Sequence, residues 1–266
     1  MVRDEPSSGH PSAPATPPTP AAGSLQSRIR RRFPRWPLSR LVLVVGGFVA
    51  LFACLLVLGS IAEDVHDQEA SALDALVTPL LHGLSNPTLD AVMGALTDVG
   101  STVVVVPLLA VALALLAWRR HRREVLFLVV AMAGSLALNQ SLKLIFHRPR
   151  PQLAWAQVQP EYSFPSGHAM NSLVFYVALA LVVWVLWGRR AGVISVIVAI
   201  VLAVLIGTSR IYLGYHYFTD VAGGFLAGTA WLMIVTAAFR AGPLWRPSRG
   251  FGTPGSTGSG EPVAGP

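Results

Sequence analysis

Charge is what this 266-residue sequence has least of. Asp, Glu, Lys and Arg make up 12% of it and hydrophobic residues 53%, whereas a soluble domain carries about 25% charged residues. With a mean hydropathy of +0.57, an ordinary water-soluble domain is excluded and a membrane protein is expected. Cysteine is nearly absent. Cys54 stands alone inside an apolar run, so no internal disulfide can form, and a buried thiol of this kind packs as a small hydrophobe. No Cys/His cluster has zinc spacing and no carboxylate cluster suits Mg²⁺, so neither a metal nor another cofactor is expected. The net charge of +7 does not indicate a nucleic-acid partner: the arginines flank apolar runs, as membrane topology requires, without interleaved aromatic residues.

Six apolar runs, 41–62, 101–118, 125–146, 169–188, 191–208 and 218–239, each fit the ~17–25 residues a membrane-crossing helix needs. The expected fold is all-α: a six-transmembrane-helix bundle over residues 39–241, with a basic-ended disordered tail at 1–38 and a second disordered tail at 242–266. Arginines cluster before the first run, at 119–123, at 189–190 and after the sixth, which puts these connections and both termini on the cytoplasmic side of the cell membrane. The segment 63–100 has no Lys or Arg and falls on the opposite side. Within it, Leu89, Val92, Met93 and Leu96 recur at helical spacing behind an Asn86-Pro87 start, and Leu73, Leu76, Val77, Leu80 and Leu81 form a second stripe. Short extracytoplasmic interfacial helices are expected there, either roofing a site or forming a plain packed hairpin.

Three short segments bear chemistry, all on the outer side. In the first, Lys143 and Arg150 lie seven residues apart, with Arg148 a further cation nearby. Arg offers a planar fork to phosphate oxygens and Lys a point charge; taken alone, these residues read more readily as a snorkelling interfacial cluster. Pro149 and Pro151 should end the helix, so Arg150 turns back from an extended segment. The second is Pro165-Ser166-Gly167-His168 at the head of the fourth run, where free N–H groups bind anions and Gly permits close approach; Ser166 could equally serve as a helix cap. In the third, Ser209-Arg210 is followed by His216 and Asp220. Four residues apart, His216 and Asp220 share a helix face, and a carboxylate on one ring nitrogen leaves the other free to attack. Tyr212, Tyr215 and Tyr217 fit an interfacial aromatic belt.

Lys143 with Arg150-Pro151, then Pro165-Ser166-Gly167-His168, then Ser209-Arg210 with His216 and Asp220 match every fixed position of the type 2 phosphatidic acid phosphatase signature, and the chain resembles that superfamily. The resemblance implies a lipid phosphate or diphosphate phosphatase that needs no metal. By it, Lys143, Arg150 and Arg210 bind the phosphoryl oxygens, with hydrogen bonds added by Ser166 and Gly167. His216 becomes a phosphohistidine, Asp220 orients it, and His168 protonates the leaving oxygen. The implied partner is a lipid phosphate in the bilayer: undecaprenyl diphosphate, phosphatidic acid or phosphatidylglycerophosphate. A phosphotransferase using the same intermediate and a non-catalytic lipid-binding or transport protein are the alternatives.

Overall fold

The computed structural model describes residues 38–66, 72–156 and 160–241, with side chains described from residue 44 onward. Both expected disordered tails therefore lie outside the described residues, apart from the first residue of α1. The chain divides after Val45 into two compact units. Of the first, only the opening of α1 is described; the remaining helices and the site belong to the second.

Seven α-helices and no strands are present among the described residues: α1 Leu38–His66, α2 Ala72–His82, α3 Pro87–Val99, α4 Thr102–Trp118, α5 Arg122–Phe146, α6 Gly167–Tyr212 and α7 Phe218–Ala241. Four of these (α1 over Val44–His66, α5, α6 and α7) are long and apolar enough to cross a membrane. The pair α3 and α4, bent by 43°, is long enough only if taken together. The expected fourth and fifth runs are one 46-residue helix in the hydrogen-bond pattern, broken at Gly188 (φ 83°, ψ −175°). A left-handed φ of this kind suits glycine alone. The break is sharp. Residues eight apart in a straight helix are ~12 Å apart, yet a Cβ on Gly192 would run into the Trp184 side chain. At the far end, Gly100 lies against both His168 and Ile206. α6 is thus a helical hairpin with its two ends side by side.

Both expected short helices form. Asn86 caps α3, its side chain accepting from Leu89 N at 3.0 Å, with Pro87 at the first position. α2 packs the other way round from a soluble amphipathic helix. Asp74 and Thr78 are buried, while Leu73, Leu76 and Leu80 are at least half exposed.

The apolar core lies between α4, α5, the first limb of α6 and α7, around Leu128, Ala131, Val174, Phe175 and Ala178. Close helix approach depends on small residues, as in membrane bundles generally. Trp231 of α7 lies on Gly134 and its indole N–H donates to Ala131 O (2.8 Å). Gly224 and Gly228 of α7 face backbone oxygens of Ser166 and Met170. Cys54 donates to Leu226 O at 3.2 Å, a packing contact from α1 to α7.

A Cβ on Gly224 would stand 2.8 Å from Ser166 O, which is backbone and cannot swing away. Gly224→Val should therefore destabilise the protein by about 1–3 kcal/mol through overpacking. Gly59→Ala, at a site with nothing within 4 Å, should not. Thermal unfolding of the two variants in detergent micelles distinguishes them.

Candidate active site

Buried polar side chains gather at one end of the bundle, where α5 ends, α6 begins and ends, and α7 begins: Lys143, Ser163, Ser166, Arg210, His216, Thr219 and Asp220. α5 stops at Phe146, with His147 in the left-handed region (φ 46°) as its cap. Residues 147–153, with Pro149 and Pro151, continue without helix. Lys143, 6% exposed, holds Glu161 Oε2 at 2.6 Å. Arg150 donates from Nε to Glu161 O (2.7 Å) and from Nη1 to Tyr215 O (2.8 Å), and the same Nη1 stands 3.3 Å from His216 Nε2.

Ser166 caps α6, its Oγ accepting from Ala169 N at 3.5 Å and its own N–H donating to Asp220 O at 2.9 Å. The capping role is therefore realised, and the hydroxyl proton remains able to donate. A Cβ at Gly167 would stand 3.1 Å from Asn139 Oδ1, so a side chain there would crowd Asn139. Asn139 also donates to Pro165 O (3.2 Å), which fixes the turn. His168 follows, within electrostatic reach of Lys143, Arg150, Arg210 and His216. Arg210 donates to Thr97 Oγ1 (2.8 Å) and lies over the Tyr215 ring at 4.2 Å, while its Nε is buried without a partner. An anion would satisfy that orphaned donor.

His216 precedes α7 rather than lying on it, yet the pairing expected from the four-residue spacing forms: Nδ1 is 3.3 Å from Asp220 Oδ2. Oδ2 also accepts from Tyr217 N at 2.9 Å. The structure thus brings all eight sequence-predicted residues to one end of the bundle. With Nδ1 at the carboxylate, Nε2 is left facing the cations, the arrangement a nucleophilic imidazole requires.

Arg148, the further cation of the first segment, is engaged elsewhere. It is tied down by carboxylates: Nη1 donates to Asp220 Oδ1 (2.6 Å) and Thr219 Oγ1 (2.8 Å), Nη2 donates to Asp74 Oδ2 (2.8 Å), and its guanidinium lies over Tyr217. Tyr217 and Tyr215 are accordingly platforms for arginines as well as aromatic residues of the site's rim. Asp74 and Glu161 were missed by sequence reasoning. Asp74 left a signal: an acid in an apolar segment with no Lys or Arg needs a partner from elsewhere. Among the described residues, no group of three or more His, Cys, Asp or Glu is arranged to hold a metal ion.

Burial works against the charge on Arg148, but Asp220 and Asp74 outweigh it and hold its pKa above the ordinary value. Burial lowers Arg150, with Glu161 and Asp220 opposing. The hydrogen bond and charge of Lys143 lower Glu161. Burial drives His216 down to about 4, against the pull of Asp220 and with the help of Arg210 and Arg150. Its imidazole is therefore neutral at physiological pH, with a lone pair to offer.

The model of the PAP2 superfamily matches residues 124–242, which contain all three motifs. Phosphatidylglycerophosphatase B of Bacillus subtilis is 32% identical over 189 residues, 70% of this chain and 92% of the relative. The chain belongs to the PAP2 superfamily. Undecaprenyl-diphosphatase BcrC of Bacillus subtilis is 29% identical over 174 residues, 63% of this chain and 83% of the relative. The crystal structure of the transmembrane PAP2 type phosphatidylglycerolphosphate phosphatase from Bacillus subtilis superposes with a TM-score of 0.67 at 28% identity, covering 74% of this chain and 98% of that one. The resemblance read from the motifs is thereby established, and with it the placement of this chain among phosphatases acting on phosphate esters.

The depressed His216 sets a pH window. Its ordinary value is 6.5 and its folded value about 4, so between these the unfolded ring takes up a proton that the folded ring refuses. Its contribution to stability is complete above 6.5 and is lost as pH falls toward 4. Thermal unfolding should show the midpoint dropping across this window, and His216→Gln should flatten part of the drop.

Proposed function

We propose that the chain is an integral membrane phosphatase that hydrolyses a lipid phosphomonoester or diphosphate through a phosphohistidine at the outer face of the membrane. The observation that carries this reading is the placement of His216, with Nδ1 at Asp220 and Nε2 3.3 Å from the Arg150 guanidinium. Lys143, Arg150 and Arg210 hold the phosphoryl oxygens and spread their charge, with Ser166 and Gly167 contributing donors at the head of α6. His216 Nε2 attacks phosphorus. The bond to the leaving oxygen breaks, and His168 supplies that oxygen's proton. Water then attacks the phosphohistidine and releases phosphate. The three cations perform the neutralisation that Mg²⁺ performs in other phosphoryl-transfer sites, so no metal is needed.

The relatives named for phosphatidylglycerophosphate and undecaprenyl diphosphate make these two the first substrates to test, with phosphatidic acid third. Purified protein should release phosphate from at least one of them in excess EDTA and be inhibited by vanadate. His216→Ala should abolish release from every substrate. His168→Ala should lose about 10²–10⁴-fold on a lipid phosphate and much less on a nitrophenyl phosphate, whose leaving group needs little protonation. Equal losses on both substrates, or activity lost in EDTA and restored by Mg²⁺, would count against the mechanism.

Six crossings follow if the bent pair α3 and α4 makes one and the α6 hairpin makes two. The arginine pattern then puts 119–123 and 189–190 inside and the site outside. A cysteine at Ser85 should react with an impermeant thiol reagent in intact cells, and one at His121 should not. The reverse pattern would move the site to the inner face.

A further inference from the structure

Asp74 lies on α2, outside all three motifs. The residue is 6% exposed and its carboxylate is well supplied with donors: Oδ1 accepts Thr219 N–H (2.8 Å), and Oδ2 accepts the Thr219 hydroxyl (2.6 Å) and Arg148 Nη2 (2.8 Å). Through Nη1 the same guanidinium holds Asp220 Oδ1 at 2.6 Å, and Asp220 Oδ2 faces His216 Nδ1. The side chains form an unbroken line from Asp74 through Arg148 and Asp220 to His216. Asp74 is also a cap supplied from another helix to the first turn of α7, on which Asp220 stands.

We propose that Asp74 is a positioning residue for phosphoryl transfer: by sharing Arg148 with Asp220, it keeps the Asp220 charge available to His216. This rests on the reading of His216 as the nucleophile. When Nε2 bonds to phosphorus, positive charge develops on the ring while its Nδ1 proton stays in place, and the electron pair of the broken P–O bond leaves with the oxygen. Asp220 is the carboxylate placed to stabilise that ring. Arg150 stands at Nε2, on the other side of the ring from Asp220, and Arg150 and Arg210 both disfavour a positive ring. Were Arg148 paired with Asp220 alone, it would cancel much of the one field that favours it. A second carboxylate on the opposite side of the guanidinium offsets this.

The test measures formation of the phosphohistidine in full-length protein in detergent, by rapid quench with ³²P-labelled short-chain phosphatidic acid. Asp74→Asn keeps the shape and the Thr219 N–H bond and removes the charge. It should slow phosphohistidine formation by about tenfold with KM within about twofold, because Asp74 does not touch the phosphate. Adding Arg148→Met removes the charge that Asp74 was balancing, so the double variant should form phosphohistidine faster than Asp74→Asn alone. A purely structural role demands the opposite, since the double variant loses more contacts. An unchanged rate in Asp74→Asn, or a double variant slower than the single, overturns the inference. If Asp74→Asn does not fold, the double variant, in which neither position 74 nor position 148 carries a charge, decides alone: a rate within about tenfold of wild type supports the inference and a greater loss overturns it. Wild-type protein that forms no phosphohistidine at His216 would instead sink the assigned nucleophile, and this inference with it.

Discussion

A carboxylate sealed from water is tolerable only when its lone pairs are filled, and Asp220, with no exposed surface, is the group whose filling organises this end of the molecule. Arg148 Nη1 comes to it from the segment after α5, Ser163 Oγ (3.5 Å) from the segment before α6, and Tyr217 N–H and His216 Nδ1 from the turn between α6 and α7. Ser166 N–H is held by the backbone oxygen of the same residue. Satisfying one buried anion therefore joins both ends of the α5–α6 connection to the turn between α6 and α7. The same set of contacts that makes the charge tolerable holds the His216 imidazole against Asp220.

The packing inverts the pattern of a soluble protein. Leu73, Leu76 and Leu80 of α2 and most large side chains of α1 point outward, while the buried positions of α2 are an acid and a threonine. Apolar side chains gain little from meeting one another when the surroundings are lipid, so close packing and polar contacts decide which helix faces turn inward. Gly134, Gly224 and Gly228 follow the first requirement; Asp74, Asn139 and Lys143 follow the second.

The same physics decides what could be read in the sequence. Lys143, His168, Arg210, His216 and Asp220 were legible because each interrupts or borders an apolar run at a position where a polar group is costly without a purpose. The start of α3 was legible because Asn86-Pro87 is a local signal, and Asn86 closes its cap within three residues. The partners of Arg148 were not legible, because a linear sequence cannot distinguish a cation facing solvent from one enclosed by two carboxylates, one of them 74 residues away. The apolar stripe of α2 was real, but its direction depends on the solvent and not on the period. The α6 hairpin was expected as two helices with a loop. Gly188 makes the reversal in a single left-handed residue, so helical bonding resumes at once.

Because α6 doubles back at Gly188, its two limbs act as the arms of a caliper, one tip carrying His168 and the other Arg210. Each residue of helix advances ~1.5 Å and turns 100°, so adding or deleting one residue in either arm would swing a tip away from the other and change the gap between them. The composition of the arms is nearly free wherever they face lipid: Ile194, Ile197, Val198 and Val201 are more than half exposed. Their length is not. What the site requires of some forty intervening residues is less their identity than their number, a form of selection that substitution studies would miss and that a scan of single-residue insertions would reveal.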